Sequence, residues 1–102
     1  MVQRADDAEL KRALSPRALR ALVPGAGPQV VDVRHFAYVD SLGDDALQVF
    51  VILADDTKGA QLRWENLGPI RHAIHEAVRV VQDDRYPYVR FLTRQEYRET
   101  RS

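Results

Sequence analysis

The sequence predicts an α+β fold: a two-layer α-β-β-α-β sandwich whose three-stranded sheet carries its helices on one face, followed by a short C-terminal helix. Three observations predict it. Two segments of alternating apolar character, Gln29–Val39 and Ala46–Ala54, flank the hairpin-length turn Asp40-Ser41-Leu42-Gly43-Asp44-Asp45. Leu67, Ile70, Ile74, Val78 and Val81 recur at helical spacing. A third apolar segment, Tyr88–Leu92, follows that helix closely. At 102 residues the chain has room for a single domain, 1–102, with one core.

The elements follow in order. Asp6 with Glu9 three residues later forms a capping box, and Ser15-Pro16 pairs a cap with a proline at the first helical position. Two short helices are therefore expected, about 7–14 and 16–23, ended by Pro24-Gly25-Ala26-Gly27-Pro28. In the first strand Val31, Val33, Ala37 and Val39 face the helices, and Asp32, Arg34, Phe36 and Tyr38 face away. The second strand turns Leu47, Val49, Val51 and Leu53 inward and Gln48, Phe50 and Ile52 outward. A polar loop, 55–65, contains Lys58 and the single tryptophan, Trp64. The long helix is expected over 66–82, capped by Asn66, with Pro69 in its first turn and Asp83-Asp84 closing it. Thr93 with Glu96 is a second capping box and starts a terminal helix to about Arg98. The expected core is Val31, Val33, Val49, Val51, Leu67, Ile70, Ile74, Val78, Val81 and Phe91. The link from the second strand through the helix to the third is expected to be a right-handed crossover.

Composition removes several function classes. There is no cysteine, so disulfides and thiolate chemistry are excluded. The 15 basic and 15 acidic residues cancel, without the basic excess of a nucleic-acid module. Met1–Leu10 lacks the apolar run of a secretory signal, and Val49–Ala54 is far too short to span a bilayer. These features predict a cytoplasmic protein with no membrane partner.

No constellation for catalysis emerges, and the expectation is a non-enzyme with no cofactor and no metal. His72-x-x-His75-Glu76 has metal-compatible spacing, but no further histidine completes a zinc set. His35 falls on the inward face of the first strand, as a hydrogen-bonded, partly buried residue. Ser15, Ser41 and Ser102 are a cap, a turn residue and a terminus. Lys58-Gly59 lacks a glycine-rich phosphate cradle, and Gly25-x-Gly27 precedes a strand instead of opening a helix.

What stands out is the sheet face turned away from the helices. Arg34, Phe36, Tyr38, Phe50, Ile52, Tyr88, Arg90 and Leu92 share it, and monomeric proteins seldom leave such a patch bare. Three readings compete. A second copy or another protein covers it, since aromatic residues and arginine are enriched at interface cores. Single-stranded RNA stacks on the rings, with arginines on phosphates. Or the terminal helix or the Trp64 loop folds over it. A second asymmetry concerns charge: Asp6, Asp7, Glu9, Asp40, Asp44, Asp45, Asp83 and Asp84 fall at one end of the sheet, where a basic partner would be oriented.

The stretch Val30–Leu92, with its valine-rich hairpin, helix and closing Tyr86-Pro87-Tyr88-Val89-Arg90-Phe91, is similar to small bacterial α-β-β-α-β accessory proteins, some of them antitoxin-like. That resemblance implies a protein partner and an accessory role. The element order also resembles the type II KH layout of the ribosome-binding factor A family, which implies RNA or ribosome association. Leu67-Gly68-Pro69-Ile70 is the nearest counterpart of the KH bend. No functional residue transfers from either resemblance. The expected function is therefore a non-enzymatic protein–protein interaction or accessory role, homo-oligomeric or within a small complex; a KH-like RNA-binding factor is the alternative.

Overall fold

A computed structural model describes residues 3–23, 28–57 and 59–101, apart from the side chains of Ala60 and Arg101. The expected breaker at 24–27 and Lys58 lie outside these residues. The element order is α1 (Asp7–Ala13), α2 (Pro16–Leu22), β1 (Val30–Val39), β2 (Asp45–Leu53), a 3-10 turn (Gly59–Leu62), α3 (Trp64–Val80), β3 (Tyr86–Thr93) and α4 (Arg94–Arg101). The α+β class is as expected.

The helix starts read from the sequence are made by the expected side chains. Asp6 accepts from the Glu9 amide at 2.8 Å, and Ser15 accepts from the Ala18 amide at 3.1 Å with Pro16 at the first position of α2. At α4 the capping box is reciprocal: Glu96 accepts from the Thr93 amide at 2.8 Å, and Thr93 Oγ1 accepts from the Glu96 amide at 3.2 Å.

The sheet order is β1-β2-β3, with β1 antiparallel and β3 parallel to the central β2. Leu10, Leu14, Leu19, Leu47, Val49, Val51, Leu53, Ile70, Ile74 and Val78 form the main core between α1–α3 and the sheet, with Val33, Leu67, Val81, Val89 and Phe91 packed at its margin. Val31 departs from expectation. Val30 pairs with Leu53 and Asp32 with Ile52, so β1 holds one extra residue there. That bulge turns Val31 to the opposite face and brings Val30 to the core in its place. Ala37 and Val39 are also exposed, because the β1–β2 hairpin runs on beyond the helices.

Helix α3 starts two residues earlier than its apolar stripe suggests. The Arg63 carbonyl accepts from the Asn66 and Leu67 amides, so Arg63 and not Asn66 is the cap, with no side-chain bond. Pro69 consequently lies inside the helix, where it removes one backbone hydrogen bond. The helix ends in a Schellman motif: Asp83 N–H donates to Val78 O at 3.1 Å and Gln82 N–H to Arg79 O at 2.9 Å. Gln82 takes the left-handed conformation, φ 61°, that glycine ordinarily supplies.

The N-terminal segment is pinned across the loop that follows. Ala5 N–H donates to Asp83 Oδ2 at 3.1 Å, Gln3 N–H donates to Asp84 Oδ2, and Asp84 N–H donates back to Gln3 O. Asp83 is buried and holds Arg85 through two side-chain bonds of 3.0 and 2.7 Å. No helix of the described residues is long and apolar enough to cross a membrane.

Candidate interaction surface

Strand register fixes the open face as four rows of three residues. From the α4 end they are Asp32–Ile52–Leu92, Arg34–Phe50–Arg90, Phe36–Gln48–Tyr88 and Tyr38–Ala46–Tyr86. The face read from the sequence therefore exists, but it is not all bare.

The terminal helix covers its first row. Tyr97 of α4 lies on Ile52 and Leu92, and all three are buried, with Val31 and Phe50 at the edge of this second cluster. Ile52 and Leu92 were expected to meet a partner; α4 of the same chain occupies them. The terminal helix thus lies on the face opposite α1–α3, the third of the readings open for this face. Phe50 is half-buried, its ring edge-on to Tyr97 at 5.7 Å and to Phe36 at 5.9 Å. Trp64 takes no part in this cover. It lies on α3 above Gly68, with the Arg71 guanidinium 6.0 Å from its ring, and is exposed.

The remaining rows are open. Phe36, Tyr38, Tyr86 and Tyr88 retain 45%, 43%, 49% and 36% of their surface. The tyrosines form a chain of edge contacts, Tyr38–Tyr88 at 5.8 Å and Tyr86–Tyr88 at 4.8 Å, which continues round the strand edge to His75 at 5.2 Å. Between Tyr38 and Tyr86 in their row, Ala46 is 1% exposed. Gln48 is tied down by a bond from its amide to Tyr88 O. The Tyr88 hydroxyl donates to Asp40 Oδ2 at 3.0 Å, and this bond raises its pKa. Asp40 itself is held below the ordinary carboxylate range, first by the Asp44 amide and also by Tyr88. These contacts make the surface a fixed platform of rings.

Charge grades along it. Arg34 and Arg90 flank Phe50, with Arg94 and Arg98 beyond them on α4. Arg34 pairs with Asp32 at 2.8 Å and Arg98 with Asp55 at 3.8 Å. At the opposite end stand Asp40 and Asp44 of the hairpin turn. The wider acidic end expected from the sequence is less acidic than a count of carboxylates suggests: Arg85 engages Asp83, and Arg4 engages Asp45. His35 is inward-facing, as expected, with Nε2 3.5 Å from Asp7.

Tyr86 and Tyr97 escaped the sequence reading. Tyr86 sits two residues before Tyr88, and period-2 alternation places it on the same face, but Pro87 obscured the start of β3. Tyr97 carries no strand signal and is recognisable only once α4 is docked. No group of three or more His, Asp or Glu able to hold a metal occurs among the described residues. His75 Nε2 has no hydrogen-bond partner among them, and desolvation, then Arg71 and His72, lowers the pKa of this histidine. No family model matches the chain, and neither a curated protein nor a solved structure matches it.

Proposed function

We propose that the protein is a non-enzymatic interaction module, an accessory subunit of a small protein complex, that docks protein through the ring platform of its open sheet face. One observation carries this reading: four large aromatic side chains, each more than one-third exposed, lie contiguous on a rigid sheet between arginines and a carboxylate turn. Exposed aromatic residues with arginine are the composition of interface cores. The zero formal net charge favours protein over nucleic acid, whose phosphates call for a basic excess. An accessory role in the cytoplasm, where a cysteine-free chain needs no oxidising environment, accords with this.

The test is a photo-crosslinking residue, benzoylphenylalanine, in place of Tyr38 in living cells. Protein adducts that disappear in a Phe36→Ser, Tyr86→Ser background support the reading. Adducts to RNA, with retention on single-stranded RNA that weakens steeply with salt, overturn it in favour of a KH-like role. So does the absence of any adduct.

A further inference from the structure

We infer that the partner on this platform is a second copy of the chain, packed face to face with its strands running in the opposite direction; this rests on the docking role proposed for the face. The charge gradient selects the arrangement. Two copies packed sheet on sheet have two simple two-fold relations. With the axis along the strands, every row meets the same row, and Arg34 and Arg90 oppose the like charges of the partner. With the axis across the strands, through the Phe36–Gln48–Tyr88 row, each arginine row meets a tyrosine row. Arg34 then lies over the partner's Tyr38 and Arg90 over the partner's Tyr86, two cation–π pairs that the symmetry doubles to four.

The step made by α4 fits the same arrangement. Sheets pack about 10 Å apart, roughly the diameter of a helix, so α4 occupies the layer that a facing sheet would fill. The facing copy must stop where α4 begins. Two rows from the axis the partner's hairpin turn reaches the row that α4 covers, so it must pass beside the helix and not over Ile52 and Leu92. That turn brings Asp40 and Asp44 towards Arg94 and Arg98, an opposition that again occurs twice; Asp32, held by Arg34, and Asp55, held by Arg98, lie at the same end and reduce its strength. A protein of unrelated sequence would have to reproduce this gradient in reverse. A second copy presents it by symmetry.

Area sets the strength. An aromatic residue offers about 150–250 Å². At their observed exposures the four rings give about 350 Å² per copy. With Arg34, Gln48 and Arg90 the dimer hides on the order of 1,000 Å² in total, near the lower bound of specific interfaces. A dissociation constant of roughly 10–100 µM is expected.

The test combines sedimentation with placed cross-links. Wild-type protein from 5 to 500 µM should pass from monomer to dimer in analytical ultracentrifugation. An Arg94→Glu, Arg98→Glu variant and an Asp44→Arg variant should each lose self-association at least tenfold, and an equimolar mixture of the two should recover it. The natural chain has no cysteine, so a single Phe36→Cys substitution and a short bismaleimide report the axis directly. Cross-linking of Phe36→Cys to itself supports the crossed axis; cross-linking only in mixtures of Phe36→Cys with Tyr88→Cys overturns it. A wild type that stays monomeric at 500 µM overturns the second copy, while protein adducts in cells would still uphold a docking role. A dimer that survives Phe36→Glu with Tyr86→Ser overturns the second copy on this platform, because the contact then lies elsewhere, and leaves the docking role to the adducts in cells.

Discussion

Replacing Tyr97 with Ala separates the two faces of the sheet. Tyr97 is 9% exposed and, among the described residues, is the only one of α4 in the cluster with Ile52 and Leu92. An aromatic side chain of this kind buries about 150–250 Å², which at about 25 cal/mol/Å² corresponds to roughly 4–6 kcal/mol at most. Two effects reduce the measured cost. The short terminal helix can loosen and let Phe50 and Val31 close on Ile52, and alanine is a better helix former than tyrosine by a few tenths of a kcal/mol. We expect a loss of about 2–4 kcal/mol. Urea unfolding followed by circular dichroism at 222 nm should show a lower midpoint, and hydrogen exchange should show α4 amides losing protection while those of α3 keep theirs. A midpoint shift equivalent to less than about 0.5 kcal/mol would mean that α4 does not cover the first row. The face would then be open along all four rows, and the step that limits a docking partner would vanish.

Three further outcomes follow from other parts of the molecule. Asp83→Ala should cost about 3–5 kcal/mol in denaturant melts, because it leaves the buried Arg85 without its carboxylate. For the wild type, burial pushes the Asp83 carboxyl up, but bonds from Arg85 and the Ala5 amide outweigh it, leaving the folded-state pKa below the unfolded one. The stability it supplies is present above about pH 4 and is lost as pH falls through the folded value. Gln82→Gly should raise stability by about 0.5–1 kcal/mol, since φ 61° costs a side-chain-bearing residue more than glycine loses in entropy; calorimetry should show a higher Tm, and a lower one would contradict the left-handed cap. His75 has a lowered folded pKa, so the unfolded chain binds the proton more readily. Stability should be complete above about pH 6.5 and decline as pH falls towards the folded value, and His75→Gln should flatten that part of the pH–stability curve.

Most of the fold was legible because its signals are local. The capping boxes at Asp6 and Thr93 and the Ser15-Pro16 pair mark their helices by short-range bonds, and the hairpin announces itself by alternation on both sides of one turn. The errors have local causes too. A bulge adds a residue without altering the apolar character of Val30 and Val31, so both remain plausible core residues until the pairing with Leu53 and Ile52 is seen. The start of α3 is set by the Arg63 carbonyl, a backbone group that no side-chain pattern reports. The open face was legible for Arg34, Phe36, Tyr38, Phe50, Ile52, Tyr88, Arg90 and Leu92, which alternation assigns, but not for Tyr86, hidden behind Pro87, or Val31, turned over by the bulge. Its extent was not legible either. Whether Ile52 and Leu92 stay bare depends on where an eight-residue helix with one aromatic anchor comes to rest, and that is decided by tertiary packing.

The central position of β2 has a kinetic consequence. Its antiparallel neighbour lies one turn away in the chain, so that ladder can form with little loop to close. Its parallel neighbour lies 40 residues away at the Gln48–Tyr88 pair, and that pairing must wait for the intervening helix. The hairpin should therefore organise early. The β3 pairing, the N-terminal strap at Asp83–Asp84 and the α4 cover then depend on one another and complete late. Until they do, β2 presents a bare edge rich in valine, isoleucine and phenylalanine, a template for pairing with other chains. Refolding at high protein concentration should thus be where this chain is lost to aggregation, and variants that slow the docking of α3 should lose more of it.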